Sequence, residues 1–135
     1  MMPTSDFRPG FRLSTLDVAV LLISGIASAY VMTVEPWLGF AVAFVVLHFF
    51  LFCNVLRMAR VLELIWAGVF AALVITGSTS LTSWTLVFAL CSALTLVLMA
   101  IQIRRPSYHG VGWRRLNPQL IDWWRSTVAP GQITG

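Results

Sequence analysis

The fold is decided by one stretch of sequence, HFFLFCNVLRMARVLELIW, which runs from His48 to Trp66. Two apolar runs meet in it, and the four residues between them, Arg57 to Arg60, carry two positive charges. A charged arginine costs free energy inside a bilayer and is favourable at its surface. We therefore predict that one membrane-spanning helix ends at this break and that another begins directly after it.

The composition of the whole chain agrees with this interpretation. Hydrophobic residues make up 59% of the 135 residues and charged residues only 10%, and the mean hydropathy is +0.86. These values exclude a soluble globular domain. The basic residues are all arginine, without a lysine, which indicates a GC-rich genome. We expect a bacterial protein of the inner, or plasma, membrane.

Outward from the central break, the hydropathy pattern predicts four spans of the length that a bilayer core requires. They cover about residues 16–34, 38–56, 61–76 and 84–103. Pro36 allows only a very short turn between the first two spans, so we expect them to form a tight antiparallel hairpin. The last two spans form a second one.

The arginines predict the orientation of the spans. In a four-span chain all of them fall on one side of the membrane, while Glu35 is the only charge in the opposite loops. Arginine-rich loops face the cytoplasm. The prediction is an all-α integral membrane protein, a four-helix transmembrane bundle of two antiparallel hairpins with both termini cytoplasmic.

This organisation divides the chain into three parts. Residues 1–13 form a basic cytoplasmic segment, residues 14–105 the transmembrane domain, and residues 106–135 a cytoplasmic tail. Ser14 and Asp17 have the spacing of a capping box at the start of the first span. Asp17 is therefore interpreted as a helix cap at the membrane surface and not as a proton carrier.

The tail is predicted to contain an amphipathic helix over about residues 117–128, started by Asn117 and Pro118. Its apolar face would gather Leu116, Leu120, Trp123, Trp124 and Val128. Such a helix suits an anionic lipid surface or a partner protein equally well. The candidate docking residues are Arg104, Arg105, Trp113, Arg114, Arg115, Leu120, Trp123 and Trp124.

No catalytic constellation or metal site is visible, so the sequence predicts a protein that is not an enzyme. The arginines lie at span ends, where topology explains them, and nucleic-acid binding is not expected. Cys53 and Cys91 lie at depths too different for a disulfide, and they are interpreted as small apolar fillers.

His48 is the candidate cofactor-binding residue, because it lies close to the bilayer midplane, where ionisable groups are rare. One interpretation is a neutral imidazole that is hydrogen-bonded to Ser24 or Thr95 and fixes helix packing. The others are an axial ligand of a haem or chlorin and a proton relay in transport. No second histidine lies in any span, so ligation by two histidines would need two copies of the chain.

Asn54, Arg57 and Glu63 form a second polar group near the central break. They are predicted to make a packing clasp at the cytoplasmic mouth of the second hairpin, with Arg57 and Glu63 as an ion pair. A binding site for a lipid headgroup or a substrate carboxylate is the alternative. Two further pairs of small residues, Ser24 with Ser28 and Gly25 with Ala29, would let another helix approach the first span closely, and they are interpreted as ordinary helix packing.

These features predict a non-catalytic accessory or scaffolding subunit of a larger membrane complex, such as a respiratory or photosynthetic one. Its expected partners are other integral membrane proteins and anionic lipids, in a homo- or hetero-oligomer, without a cofactor. The first alternative is a redox or pigment subunit with His48 as axial ligand. The second is a small oligomeric transporter: in its four short spans the chain resembles the small multidrug exporters. Those carry a carboxylate deep in the first span, whereas Asp17 lies at its edge, so an exporter of that kind is not expected.

Overall fold

The structure of the chain, a computed structural model, describes residues 8–77 and 81–127. It is all-helical, with no strand in these two ranges. The helices are α1 (Thr15–Val34), α2 (Pro36–Phe50), which continues as a π-helical turn (Leu51–Val55), α3 (Arg60–Gly77), α4 (Leu81–Ile103), α5 (Trp113–Leu116) and α6 (Leu120–Thr127). By length and composition, α1, α2 with its π turn, α3 and α4 can each cross a membrane. The prediction of an all-helical protein with four candidate spans is confirmed.

Helix α1 begins with the predicted capping box. The Asp17 N–H donates to the Ser14 hydroxyl at 3.2 Å, and the Ser14 N–H donates to the Asp17 carboxylate at 2.7 Å. These bonds satisfy two backbone donors that a helix start leaves free. Helix α1 ends at Val34 because a residue that precedes proline avoids the helical region. Glu35 is accordingly extended, and Pro36 opens α2.

Helices α1 and α2 pack against each other and approach closely at Gly39. A Cβ atom at this position would lie 2.5 Å from the backbone nitrogen of Met32 and 2.8 Å from its Cα. The Ser28 hydroxyl donates to the Gly39 carbonyl at 2.6 Å. Ser28 is also the one buried residue of α1. The missing side chain of Gly39 is therefore what lets the two backbones meet.

Aromatic side chains fill the space between α2, α3 and α4. The ring centroid of Phe44 lies 6.0 Å from that of Trp66 and 4.9 Å from that of Phe88. Phe52 and Trp66 have no exposed surface. Helix α2 thus contributes to the centre of the bundle, while α1 packs on α2 from outside and keeps most of its own surface exposed.

Three separate segments meet at one end of the helices, which we call the arginine end (residues 8–14, 54–60 and 104–120). Backbone hydrogen bonds join them. The N–H groups of Gly10, Arg12 and Val111 donate to the carbonyls of His109 (2.7 Å), Asn54 (3.2 Å) and Val55 (2.8 Å), respectively. The segment before α1 and the tail after α4 are therefore both attached to the end of α2.

The second span is not α-helical to its end, which the sequence did not indicate. Its last turn, Leu51–Val55, is a π-helix, in which the Leu56 N–H donates to the Leu51 carbonyl at 2.9 Å. The wider turn shifts the register of the residues that follow by one position. Asn54 and Arg57 consequently face directions that a regular helix would not give them.

The tail also differs from its prediction. Helix α6 begins at Leu120 instead of about residue 117, and Val128, predicted for its apolar face, lies outside the described residues. The Asn117 side chain does not cap this helix. Its amide nitrogen donates to the carbonyls of Pro106 at 2.6 Å and Tyr108 at 3.1 Å, and so folds the start of the tail onto itself.

Replacement of Gly39 by alanine is expected to destabilise the purified chain by about 2 kcal/mol, since overpacking of this kind costs about 1–3 kcal/mol. Gly25→Ala is the matched control, because an added Cβ there meets nothing within 4 Å. That change should stabilise the chain by up to about 1 kcal/mol through helix propensity. Chemical denaturation in detergent measures both, and equal effects of the two changes would contradict the close approach at Gly39.

Candidate functional site

An open cavity of about 650 Å³ lies at the arginine end, and we call it the arginine pocket. Residues of α2 and its π turn, the loop before α3, the start of α3, the end of α4 and the two attached segments all contribute to its wall. The lining residues are Arg12, Phe49, Cys53, Arg57, Met58, Ala59, Arg60, Glu63, Gln102, Ser107 and His109. Three arginines and one glutamate thus line a single cavity, and the excess of positive charge makes it attractive to anions.

Arg57 occupies an unusual position in this pocket. Its φ is 47°, in the left-handed region that non-glycine residues rarely adopt. It directly follows the π-helical end of α2, where a left-handed residue lets the Met58 N–H return to the Phe52 carbonyl at 2.8 Å. Burial lowers the pKa of the Arg57 guanidinium, and the positive charge of Arg12 lowers this pKa further.

The predicted clasp is not formed in the expected way. The Arg57 guanidinium donates to the backbone carbonyl of Arg8, and Glu63 accepts a hydrogen bond from the Cys53 thiol at 3.3 Å. With its amide nitrogen turned toward these acceptors, Asn54 donates to the Arg12 carbonyl at 2.8 Å and to Asp17 at 3.1 Å. Arg57 and Asn54 therefore hold the segment before α1, and no ion pair joins Arg57 to Glu63.

Gln102 is a pocket residue that the sequence analysis missed. Its side chain is only 3% exposed, and its Oε1 atom is buried without a hydrogen-bond partner in the described structure. An unsatisfied buried acceptor costs about 1–3 kcal/mol. The available signal was a long polar side chain two residues before Arg104, inside the last turn of an otherwise apolar span.

An apolar groove of about 350 Å³ lies beside the arginine pocket, between α1 and α2. Its walls carry almost only hydrocarbon. They are formed by Leu16, Asp17, Val20, Leu21, Val45, Val46, Phe49, Phe50, Cys53 and Asn54. Phe49 and Cys53 line both cavities. The groove and the arginine pocket are therefore neighbours with a shared wall.

The tail packs against the end of α2 at Gly110. A Cβ at Gly110 would lie 2.7 Å from the carbonyl oxygens of both Val55 and Leu56. Beside it, the buried Tyr108 donates its hydroxyl to the Val111 carbonyl at 2.7 Å. Burial raises the pKa of the Tyr108 hydroxyl, which therefore stays a hydrogen-bond donor at neutral pH.

His48 lies among aromatic rings in the middle of the bundle. Its ring stacks on Trp66, with centroids 4.7 Å apart and planes at 15°, and it lies 4.1 Å from the Phe44 ring. Its Nδ1 is 2.8 Å from the Phe44 carbonyl, and because a carbonyl can only accept, Nδ1 carries the proton. The predicted partners Ser24 and Thr95 are not used.

Thr95 has a different role from the predicted one. Its hydroxyl accepts from the Trp66 indole at 3.0 Å and donates to the Cys91 carbonyl at 2.8 Å. Thr95 is therefore paired with Trp66, and not with His48 as one interpretation of the sequence had it. Both cysteines are free thiols, with Cys91 buried and Cys53 exposed.

The predicted docking residues of the tail are only partly available at the surface. Trp113, Trp123 and Trp124 are half-buried, and Leu120 is completely buried within the chain. Leu120 therefore belongs to the protein's own packing and not to a docking face. The exposed members are Arg104, Arg105, Arg114 and Arg115.

Comparison with protein-family models, with curated proteins and with solved structures finds no match to this chain. Within residues 8–77 and 81–127, no three His, Cys, Asp or Glu side chains are grouped so that they could hold a metal ion. The interpretation of the arginine pocket, the apolar groove and His48 therefore depends on their own geometry.

Arg57→Gly should be more stable than Arg57→Ala by about 1–2 kcal/mol, because only glycine adopts a left-handed conformation without strain. Both changes remove the hydrogen bond to the Arg8 carbonyl. The difference in stability between the two variants therefore reports only the backbone conformation at residue 57. Chemical denaturation in detergent gives the difference. An alanine variant as stable as the glycine variant would show that this residue is not left-handed.

Proposed function

We propose that this protein is a non-catalytic accessory subunit of a larger membrane complex and binds transmembrane helices of other proteins through the outer face of α1. The observation that carries the proposal is the exposed pair Gly25 and Ala29. Ala29 is exposed, and a Cβ at Gly25 would meet nothing within 4 Å. The chain's own packing therefore does not use these small residues.

Small residues matter in a membrane because hydrocarbon chains solvate large apolar side chains as well as a protein does. Helix association there depends on close van der Waals contact, which small residues permit. Glycine destabilises a helix by about 1 kcal/mol relative to alanine. An exposed glycine that packs against nothing in its own chain therefore lowers stability without a compensating contact. A partner helix packed on Gly25 would supply that contact.

Helix α3 supports the proposal independently. Gly68 and Ala72 have the same spacing as Gly25 and Ala29, and both are exposed. A Cβ at Gly68 would also meet nothing within 4 Å. Two outer helix faces thus carry the same pattern, as a subunit placed between partner helices requires.

The proposed setting is a bacterial inner membrane, with two antiparallel hairpins and both termini in the cytoplasm. The arginine end supports this orientation because it gathers Arg8, Arg12, Arg57 and Arg60, and positively charged loops stay on the cytoplasmic side. Helix α6 would lie at the cytoplasmic surface, with Arg125 exposed beside Asp122 at 4.0 Å.

The proposal predicts that Gly25→Leu releases a stoichiometric partner from the tagged protein, purified in mild detergent and analysed by mass spectrometry. A leucine at Gly25 keeps a partner helix at a distance without affecting the chain's own packing. Ala27→Leu is the matched control, an exposed position of α1 about 200° around the helix, and should retain the partner.

The accessory-subunit proposal fails if the wild-type chain purifies only with lipid or with copies of itself. It also fails if both leucine variants keep every partner that the wild type holds. Neither variant should unfold at a lower temperature than the wild type, which separates a lost partner from a lost fold.

A redox or pigment subunit is the second candidate function, and one observation favours it. Because Nδ1 of His48 donates to the Phe44 carbonyl, the neutral ring has its lone pair on Nε2, the arrangement of histidines that ligate metals. Neither the arginine pocket nor the apolar groove is lined by His48. A haem or chlorin bound to His48 would therefore lie outside these two cavities, next to a partner or a second copy.

An absorption spectrum of the protein purified in mild detergent tests this second function. It predicts a Soret or chlorin band that is lost in His48→Ala and retained in His109→Ala, the histidine outside the spans. A colourless wild-type preparation that still holds its partner proteins would contradict it and leave the accessory role in place.

A further inference from the structure

The arginine pocket and the apolar groove have complementary chemistry. The groove offers hydrocarbon walls from Val20, Val45 and Phe50, whereas the adjacent pocket offers guanidinium groups. A ligand that filled both would have an apolar chain joined to an anionic group. Since Phe49 and Cys53 line both cavities, the two lie side by side, as a ligand with both parts requires.

The basic side chains determine which anion fits. Arg12, Arg57 and Arg60 line the pocket from two separate segments, one before α1 and the other between α2 and α3. Guanidinium groups bind phosphate oxygens in a planar, bidentate geometry that is stronger than a neutral hydrogen bond. Because Arg57 already donates to the Arg8 carbonyl, Arg12 and Arg60 are the main candidates for contact with a phosphate.

Gln102 provides an independent indication that a ligand belongs in the pocket. The side chain lines the cavity, is 97% buried, and has an Oε1 atom that lacks a donor. A phosphodiester cannot satisfy it, because a phosphodiester only accepts. A hydroxyl or ammonium group next to the phosphate can supply the missing donor.

We propose that the arginine pocket and the apolar groove together bind one phospholipid, whose headgroup carries a hydrogen-bond donor beyond its phosphate. The phosphate lies against Arg12 and Arg60, the donor reaches Gln102 Oε1, and an acyl chain occupies the groove between α1 and α2. Phosphatidylethanolamine and phosphatidylglycerol have this chemistry, whereas phosphatidylcholine has a phosphate but no N–H or O–H in its headgroup. The site belongs to the chain itself and does not depend on the proposed partner complex.

Native mass spectrometry of the full-length, delipidated protein tests the site, with nanodiscs of each of the three lipids as donors. Phosphatidylethanolamine or phosphatidylglycerol should remain bound about tenfold more than phosphatidylcholine, the effect of one hydrogen bond to a charged or strongly polar partner. Gln102→Leu should remove this preference. Arg60→Gln should weaken binding of all three lipids about tenfold.

Arg104→Gln is the matched control, because Arg104 is exposed and does not line the pocket. It should leave both affinity and preference unchanged. Equal loss in Arg104→Gln and Arg60→Gln would reduce the effect to general surface charge and overturn the proposal. So would equal retention of phosphatidylcholine by the wild type.

Inorganic phosphate distinguishes a lipid from a free anion. It should compete with the lipid only at concentrations far above that of the lipid, since it cannot use the groove or supply a carbon-linked donor. If inorganic phosphate binds the delipidated chain and lipid does not displace it, the pocket is a free-anion site and the lipid assignment is wrong. These measurements use the purified chain alone. Their outcome is therefore independent of whether the chain is an accessory subunit.

Discussion

The last carbonyl groups of α2 need hydrogen-bond donors, and this requirement organises the arginine end. A helix cannot satisfy its own final carbonyls, and an unsatisfied backbone group in hydrocarbon costs several kcal/mol. Here the Phe52 carbonyl accepts from Met58, while the Asn54 and Val55 carbonyls accept from Arg12 and Val111. Two of these three donors come from segments far away in the chain.

This requirement explains the shape of the arginine pocket. To deliver their donors, the segment before α1 and the tail after α4 must lie against the same helix end. The gap between them and the start of α3 is the cavity. Gly110 permits the tail to approach the Val55 and Leu56 carbonyls. The left-handed conformation of Arg57 reverses the chain direction between the end of α2 and the start of α3. The pocket is thus a consequence of helix capping, and its charge follows from the arginines that topology places there.

The fold was largely predictable because its causes act locally. Apolar length gives the spans, the central arginines give the break, and Ser14 with Asp17 gives a cap that the structure confirms. The π turn was not predictable, since Leu51–Val55 lies in an almost uniformly apolar run without a periodic face. The hydrogen bonds from Arg12 and Val111 were hidden for another reason: they are backbone bonds and leave no pattern in the side chains.

For the candidate sites, the sequence predicted the position of each residue along its helix but not its contacts. Position along a span predicted that Thr95 lies at a level comparable with His48, but it could not say which side chains face one another, and Trp66 is the residue that reaches Thr95. Charge alone paired Arg57 with Glu63, whereas the guanidinium is close enough to a backbone carbonyl to use that instead. Gln102 was overlooked because nothing in the sequence distinguishes a satisfied glutamine from an unsatisfied one.

The contrast between His48 and Gln102 shows why depth in the membrane is a weaker guide to function than hydrogen bonding. His48 is deeper, but its Nδ1 is satisfied by a carbonyl of its own helix, and its ring packs on Trp66 and Phe44. His48 therefore needs neither a cofactor nor a partner protein to have a structural role. Gln102 lies near the arginine end, yet its buried Oε1 has no donor. Since an unsatisfied buried acceptor costs about 1–3 kcal/mol, a ligand that supplies the donor recovers this free energy on binding. The shallower residue is thus the one whose environment is completed by a ligand.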